Sequence, residues 1–310
     1  MDEHELWLSE EESEDEGFTD PSSFTMDLTY QGPPGEFRTR NRPGQRQRPT
    51  VSSFRGGPRK KPAFTTSCNA KAMIHGEMGG DSGKFATLLV YEFKFRSYKG
   101  ARLKEADILF EFKPRSGATG SISVAEVRPS GVHKMEKSEQ TEGHGVYAGA
   151  NGALLQAVGL EAGADSWVEK VAKYHTVITG DRPQDDWGDY YEARFSLTEN
   201  KSQEDGIPSS LTVCILLERD DDCDFVCIPT ISVKPNFVTT VATLFSSRDP
   251  DDPVYFSVGE SPFNLLDGHV TVDKNNLGAT DLDSLWDCTM YNDYQGAIKP
   301  SKQKQADTAE

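Results

Sequence analysis

Three aspartate-rich segments contain the residue types that could bind a metal ion. Their members are Asp185, Asp186 and Asp189; Asp220, Asp221, Asp222 and Asp224; and Asp249, Asp251 and Asp252. Calcium takes about six to eight oxygen ligands in flexible geometry, and carboxylates from several loops can supply them. Each segment also contains an arginine that can neutralise it, namely Arg182, Arg219 or Arg248, and aspartate is common in turns for its local hydrogen bonds. A calcium site, an acidic rim that faces a partner, and solvated turns are therefore three open interpretations.

Residues 37–61 form a basic segment with the chemistry to bind nucleic acid. It contains nine basic residues and no acidic ones: Arg38, Arg40, Arg42, Arg46, Arg48, Arg55, Arg59, Lys60 and Lys61. Arginine-rich segments with an RGG triplet, here Arg55 to Gly57, bind RNA by neutralising phosphates. The sequence PRKKP is also typical of a nuclear import signal, and an ordinary solubilising linker has the same composition. All three interpretations stay open.

The remaining motifs do not indicate an enzyme. The sequence GGDSGK at 79–84 fails as a phosphate loop, because Met78 replaces a required glycine and Phe85 a required hydroxyl residue. None of the histidines has metal-ligand spacing to another histidine or to a cysteine. No paired carboxylates lie in the apolar setting that raises a pKa for acid catalysis. We expect a non-catalytic protein without a cofactor, with a loop-assembled enzyme site as an alternative.

Alternating apolar and polar residues predict the strands that must position these segments. In the first of them Leu89, Tyr91, Phe93 and Phe95 fall on one face. Further alternating runs cover 105–112, 121–128, 191–197, 211–217, 225–234, 237–245 and 254–258. The stretch 167–178 is interpreted as a strand because its β-branched residues disfavour a helix. This spacing predicts an all-β, antiparallel β-sandwich over 85–260, with Phe93, Phe110 and Phe195 in the core.

The strand order also predicts how the loops are arranged. SYKGAR at 97–102 is expected to be a hairpin connection, since Gly100 takes a positive φ at little cost. If consecutive strands run antiparallel, the loops 181–189, 219–224 and 246–253 share one pole. The loops 200–208 and 235–236 then lie at the other pole.

Composition divides the chain into an arm, a body and a tail. The 310 residues include 33 Lys and Arg against 50 Asp and Glu, a net charge of -17. Residues 1–80 combine an acidic head with the basic neck, are rich in glycine and proline, and show no hydrophobic period, so we expect a disordered N-terminal arm. Residues 261–295 are expected to pack on the sandwich through Leu277, Leu282, Leu285 and Trp286, and 296–310 to form a flexible tail.

The cellular location follows from what the sequence lacks. No apolar run approaches the roughly 20 residues of a membrane helix, and the acidic start is unlike a secretion signal. Five scattered cysteines are expected to be reduced thiols. We therefore expect a cytoplasmic or nuclear protein that does not enter a membrane.

Two segments of the C-terminal part carry a resemblance. IPTISVKPNFVTTVATLFSSRDPDDPVYF at 228–256 and VDKNNLGATDLDSLWDCT at 272–289 are similar to segments of uncharacterised intracellular, β-rich proteins of filamentous fungi. The resemblance covers about the last 200 residues and implies no activity. The function we expect is a non-catalytic interaction protein whose sandwich loops and arm contact a protein partner. An RNA-binding or coat-like protein that uses the basic arm is the main alternative.

Overall fold

The structure is a computed structural model with thirteen strands and two short helical turns in the part of the chain it describes. It describes residues 39–56, 63–80, 82–98, 101–115, 120–145, 167–236, 250–267 and 270–290, with the backbone alone for 136–145 and 167–174. The strands are β1 (Thr50–Gly56), β2 (Phe64–Glu77), β3 (Phe85–Ser97), β4 (Leu103–Pro114), β5 (Ile122–Arg128), β6 (Gly131–Gly145), β7 (Trp167–Asp181), β8 (Glu192–Thr198), β9 (Ser210–Arg219), β10 (Phe225–Pro235), β11 (Val254–Phe256), β12 (Phe263–Asn264) and β13 (Asp287–Thr289). The 3-10 turns span Leu277–Ala279 and Leu282–Ser284. Neither turn has the length and apolarity that a membrane-spanning helix requires.

The strands form two antiparallel sheets, which confirms the predicted fold class. The seven-stranded sheet has the order β1-β2-β3-β9-β13, with β12 beside β2 and β5 beside β9. The six-stranded sheet has the order β11-β10-β4-β8-β7-β6. The predicted strand at 237–245 lies outside the described residues.

Aromatic side chains fill the space between the two sheets. Tyr91 of β3 stacks on Phe110 of β4 with ring centroids 5.0 Å apart, and Phe93 lies 6.2 Å from the same ring. Phe93, Phe110 and Phe195 have no exposed surface, as their position on the apolar side of each alternating run predicted. This interior joins the sheets because each strand turns its apolar side towards the other sheet.

The connection between β3 and β4 differs from the predicted hairpin. β3 pairs with β2 and β9, whereas β4 pairs with β8 and β10, so the two strands belong to different sheets. The two alternating runs were correctly predicted as strands. The apolar face of β3 packs against the apolar face of β4, so the two strands lie in opposite sheets. A hairpin would have placed the two strands side by side in one sheet.

The N-terminal boundary of the ordered body was predicted wrongly. β1 and β2 lie within the region 1–80 that we expected to be disordered, and β2 pairs with β3 along its whole length. Residues 39–49, here called the strap, precede β1. They lie beside β11, where the backbone N–H of Gln47 donates to the Tyr255 carbonyl at 2.7 Å. Residues 1–38 lie outside the described part of the chain, so the prediction for them stays a prediction.

Residues 270–290 cover part of the outer face of the seven-stranded sheet. Leu277, Leu282 and Leu285 are buried there against a cluster that includes Leu88 and Val90 of β3. Further along the same strand the outward positions are polar, with Lys94 half-buried and Arg96 exposed. The outer face of β3 therefore has an apolar part that residues 270–290 cover and a basic part that the described residues leave accessible.

The β6–β7 ribbon extends beyond the rest of its sheet. β7 pairs with β8 only from Val177 to Asp181, while its pairing with β6 continues to Trp167 opposite Gly145. The strand prediction for 167–178 is confirmed. At about 3.3 Å per residue, the unaccompanied part of β7 is roughly 33 Å long.

The aromatic interior gives a direct test of the packing. Replacing Phe110 with Ala removes the ring that contacts both Tyr91 and Phe93, and should cost about 3 to 5 kcal/mol of the free energy of unfolding. Arg194→Ala, at a side chain that is 59% exposed, should change it by less than about 0.5 kcal/mol. Urea unfolding followed by tryptophan fluorescence measures both values, and equal losses would contradict the assignment of the interior.

Candidate functional site

Two of the three aspartate-rich loops lie at the same end of the sandwich. Glu192, which follows the loop 182–191, pairs with Glu111 of β4, and Phe225, which follows the loop 219–224, pairs with Pro114 of the same strand. Both loops therefore lie beside the end of β4, as strand parity predicted. We call this the acidic end.

The third aspartate-rich segment lies elsewhere. β11 runs from Val254 beside Cys227 to Phe256 beside Phe225, so residues 250–253 precede the strand and point away from the acidic end. Asp251 and Asp252 instead hold the strap, because their carboxylates accept the backbone N–H groups of Thr39 at 2.7 Å and Asn41 at 2.9 Å. The three segments do not converge as predicted.

The carboxylates of the loop 219–224 are mostly neutralised by neighbouring cations. Asp220 contacts Lys84 and Ser121, Asp222 lies 3.4 Å from Arg219, and Asp224 lies 3.2 Å from Arg115. The hydrogen bonds from Lys84 and Ser121 lower the pKa of Asp220 to about 2. No group of three or more His, Cys, Asp or Glu residues is placed to hold a metal ion within the described residues. Asp249 lies outside them.

The loop 182–191 is organised by Asp185. The Asp185 carboxylate accepts the N–H groups of Trp187 and Asp189, each at 2.8 Å, while its backbone N–H donates to the Asp189 carbonyl at 2.9 Å. Gly188 has a φ of 91°, a left-handed conformation that favours glycine. The loop is therefore fixed by its own hydrogen bonds, and Asp185 is a structural residue rather than a free ligand.

Trp187 is presented to solvent at the tip of this loop. Its side chain is 88% exposed, the highest value among the exposed large apolar residues of the described chain. Asp186 and Asp189 on either side of it are exposed and form no side-chain ion pair with another described residue. The geometry thus combines an exposed indole ring with two uncompensated carboxylates.

Arg182 anchors this loop and does not neutralise it. Its guanidinium lies 4.5 Å from the centre of the Tyr190 ring and donates to the Val124 carbonyl at 3.1 Å. The sequence allowed Arg182 to offset the nearby aspartates, and the structure places its charge against the sheet. The carboxylates of Asp186 and Asp189 therefore keep their charge available to a ligand.

The predicted basic neck is divided between different parts of the molecule. Arg40 and Arg42 are exposed on the strap and Arg46 is half-buried, whereas Arg55 is exposed on β1. Arg38, Arg59, Lys60 and Lys61 lie outside the described residues. Arg48 is only 4% exposed, so it is not a residue that a phosphate can reach.

Arg48 instead holds the strap to the body. Its guanidinium donates to the carbonyls of Thr50 at 2.8 Å, Val51 at 2.9 Å and Asp252 at 2.8 Å, and to the Asn41 side chain at 2.8 Å. Burial lowers the pKa of Arg48, and Asp251 and Asp252 oppose that shift. The prediction that Arg48 belongs to a flexible binding segment is wrong, since all these contacts are intramolecular.

A buried polar cluster lies inside the acidic end. The side-chain amide of Gln47 lies 2.5 Å from His75 Nε2, and His75 Nδ1 lies 2.9 Å from the Thr87 hydroxyl. Since the amide donates to Nε2, the ring is neutral and Nδ1 donates to Thr87. Burial, with the positive charge of Arg219, lowers the pKa of His75 to about 4. The histidine is structural at neutral pH.

The exposed thiol of this end is not activated. Its hydrogen bond to Asp221, together with desolvation and neighbouring carboxylates, raises the pKa of Cys223. A nucleophilic cysteine requires the opposite shift. The acidic end therefore suits binding better than covalent chemistry.

Sequence reasoning missed the residues that now define the site. Trp187 was passed over because it belongs to no alternating run, although a tryptophan inside the turn sequence DDWGD has no strand or helix in which to be buried. Arg96 falls on the polar side of the alternating run of β3. Its neighbours on the sheet surface depend on which strands pair.

Comparisons with known proteins give only a distant likeness. No family model matches the chain, and no curated protein matches it. Among solved structures it is similar to the Clostridium perfringens NetB toxin in its membrane-inserted form, with 10% identity, 60% of this chain and 83% of that chain covered, and a TM-score of 0.26. It is also similar to Clostridium perfringens delta-toxin, with 10% identity, coverages of 68% and 85%, and a TM-score of 0.25. Likeness at this level identifies neither family nor activity, and the resemblance to fungal proteins stays a prediction.

Arg48 provides a test that separates a structural role from a binding role. Arg48→Met keeps bulk but leaves buried carbonyls without donors, and should lower the free energy of unfolding by roughly 2 to 4 kcal/mol. Arg42→Met, on the exposed turn of the strap, should change it by less than about 0.5 kcal/mol. Urea unfolding of both variants checks this, and two silent substitutions would show that Arg48 does not hold the strap.

His75 makes stability depend on pH in a defined direction. The ordinary pKa of the group is 6.5 and the folded value is about 4, so below pH 6.5 the unfolded chain binds a proton that the folded chain does not. Stability should be complete above pH 6.5 and fall by up to about 3 kcal/mol as the pH approaches 4. Denaturant unfolding at pH 7 and pH 4 should show a smaller decrease for His75→Gln than for the parent protein. Equal decreases would contradict a titrating buried His75.

Proposed function

We propose that this protein is a non-catalytic interaction protein that binds a basic segment of a partner protein through the loop 182–191. The observation that carries the proposal is Trp187, 88% exposed at the tip of a hydrogen-bonded loop. An exposed tryptophan leaves a large apolar ring in water. Burying that ring in a partner surface is a strong source of binding energy.

The rigidity of the loop supports this proposal. Asp185 fixes the backbone on both sides of Trp187, so less conformational freedom is lost when a partner binds. In alanine scanning, the interface residues whose replacement lowers the binding free energy by about 2 kcal/mol or more are enriched in tryptophan, tyrosine and arginine. Trp187 is of this type and is 88% exposed at the acidic end.

The charge around Trp187 favours a basic partner. Asp186 and Asp189 have no ion-pair partner among the described residues, and the chain as a whole carries a net charge of -17. A lysine or arginine side chain can lie on the indole face, where a cation–π contact contributes about 0.5 to 2 kcal/mol. The two carboxylates then accept its hydrogen bonds and speed the encounter.

The cysteines support an intracellular location. None of the five forms a disulfide; Cys68, Cys214, Cys227 and Cys288 are buried and Cys223 is exposed. Reduced thiols are the usual state in the cytoplasm and the nucleus. We propose that the protein works in one of these compartments.

Binding of a defined peptide tests the proposed function. A fluorescein-labelled peptide rich in lysine and arginine should bind the full chain, with affinity measured by fluorescence anisotropy. Trp187→Ala should weaken binding at least about tenfold, which corresponds to about 1.4 kcal/mol. Replacing Asp186 and Asp189 together with Asn should mainly lower the association rate and its dependence on salt.

Leu265 provides the matched control for this test. It is 60% exposed and lies outside the acidic end, in a segment bound to β2 through the Lys71 carbonyl. Leu265→Ala should bind the peptide like the parent protein. Equal affinity of the Trp187→Ala and parent proteins would falsify the proposal. A photo-crosslinker at position 187, followed by retesting of each captured protein in purified form, then identifies the partner.

A further inference from the structure

A second charged surface lies on the outer face of the seven-stranded sheet, at the end opposite the acidic end. In the strand register Arg55 of β1 lies opposite Thr65 of β2, and Thr65 lies opposite Arg96 of β3. The next outward row contains Ser53, Ser67 and Lys94. We call the surface formed by these two rows the basic face.

The two arginines of the basic face are not neutralised. Arg55 and Arg96 are exposed, and neither forms an ion pair or a side-chain hydrogen bond with another described residue. Since neighbouring strands lie about 4.8 Å apart, the two arginine Cα atoms are roughly 10 Å apart across Thr65. Their guanidinium groups can therefore reach neighbouring phosphates of one ligand.

The carboxylate of Glu92 does not cancel the charge of the two arginines. Glu92, the next outward residue of β3, lies 3.0 Å from Lys94 and 3.9 Å from Lys71. The single carboxylate of Glu92 is thus shared between two lysines, Lys71 and Lys94. With the two arginines, the local balance is positive.

An aromatic side chain completes the basic face. Tyr98 is 39% exposed, and its hydroxyl lies 3.4 Å from the Thr65 hydroxyl, so the ring lies beside the row that contains both arginines. Hydroxyl groups on Ser53, Thr65 and Ser67 add donors that can contact phosphate. Cations, hydroxyl groups and an accessible ring thus occur together on a sheet face.

The negative charge of the rest of the molecule does not prevent anion binding here. β2 runs from Phe64 at this end to Glu77 at the acidic end, a length of roughly 40 Å. The screening length at physiological salt is about 8 Å. The charge of the acidic end is therefore screened at the basic face.

We propose that the basic face binds single-stranded nucleic acid. Arg55, Arg96 and Lys94 would neutralise phosphates while Tyr98 stacks on a base, which is the combination that binds unpaired strands with little sequence preference. A lipid surface fits less well, since Tyr98, which lies beside these rows, is the one described side chain of the basic face that could enter an apolar layer. This site is independent of Trp187 and shares Arg55 with the predicted basic neck.

Anisotropy of a labelled oligouridine tests this proposal on the full chain. Replacing Arg55 and Arg96 together with Ser should weaken binding at least tenfold, and Tyr98→Ala should weaken it several-fold without changing the net charge. The matched control replaces Arg42 and Arg194 with Ser, which removes the same charge from exposed positions elsewhere and should leave affinity nearly unchanged. With about three phosphate contacts, affinity for single strands should fall about 20-fold between about 50 and 200 mM salt.

Several results would overturn the proposal. The first is that the oligouridine does not bind at low salt, and the second is that both double variants lose the same affinity. The others are that duplex RNA binds as tightly as the oligouridine or more tightly, and that the protein binds only vesicles of anionic phospholipid. A further variant with Ser at Arg38, Arg40, Arg42 and Arg46 separates the basic face from the strap and the residues before it. Loss of binding in that variant, with full binding in the Arg55 and Arg96 variant, would assign the activity to the N-terminal segment instead.

Discussion

Contact between the apolar faces of the two sheets is the constraint on which the remaining structure depends. Side chains alternate along a strand, so every residue turned towards the other sheet assigns its neighbours to the outside. In β3, Tyr91 and Phe93 point into the interior and pack against Phe110 of the other sheet. That leaves Leu88, Val90, Lys94 and Arg96 on the outer face. The leucine and valine require the cover that residues 270–290 provide, and the basic residues do not.

Local alternation was sufficient to predict most strands, and insufficient to predict their neighbours. β3, β4, β8, β9 and β10 all alternate apolar and polar residues with several large apolar side chains on the inward face, and each was found from that pattern. β2 was missed because its inward positions include Thr66, Cys68 and Ala70, which give a weak hydrophobic signal. Its place beside β3 is set by the sheet and cannot be read from residues 64–77 alone.

The candidate surfaces were predictable only in part for the same reason. Strand parity placed the loops 182–191 and 219–224 at one end, but ion pairing gives them different charges. Lys84, Arg115 and Arg219 neutralise carboxylates of the loop 219–224, whereas the loop 182–191 stays charged. Lys84 and Arg115 are distant in sequence from the loop that they neutralise. Arg219 is the last residue of β9 and adjoins that loop. Similarly, the described members of the predicted basic neck divide into the buried anchor Arg48, the strap residues Arg40, Arg42 and Arg46, and one member of the basic face, Arg55. The molecule thus separates its acidic end and its basic face along the length of β2, so the two proposed ligands would bind at opposite ends of that strand.

The strap also governs how the six-stranded sheet ends. β11 is the terminal strand of that sheet, and an open strand edge is a template for pairing with other chains and for aggregation. The bonds from Gln47 to Tyr255 and between Thr39 and Asp252 occupy backbone groups on that side, while Arg48 fixes the segment that makes them. A cleavage between the strap and β1 would therefore uncover a strand edge on an otherwise folded molecule. A few polar contacts between the strap and the segment around β11 therefore keep this strand edge covered.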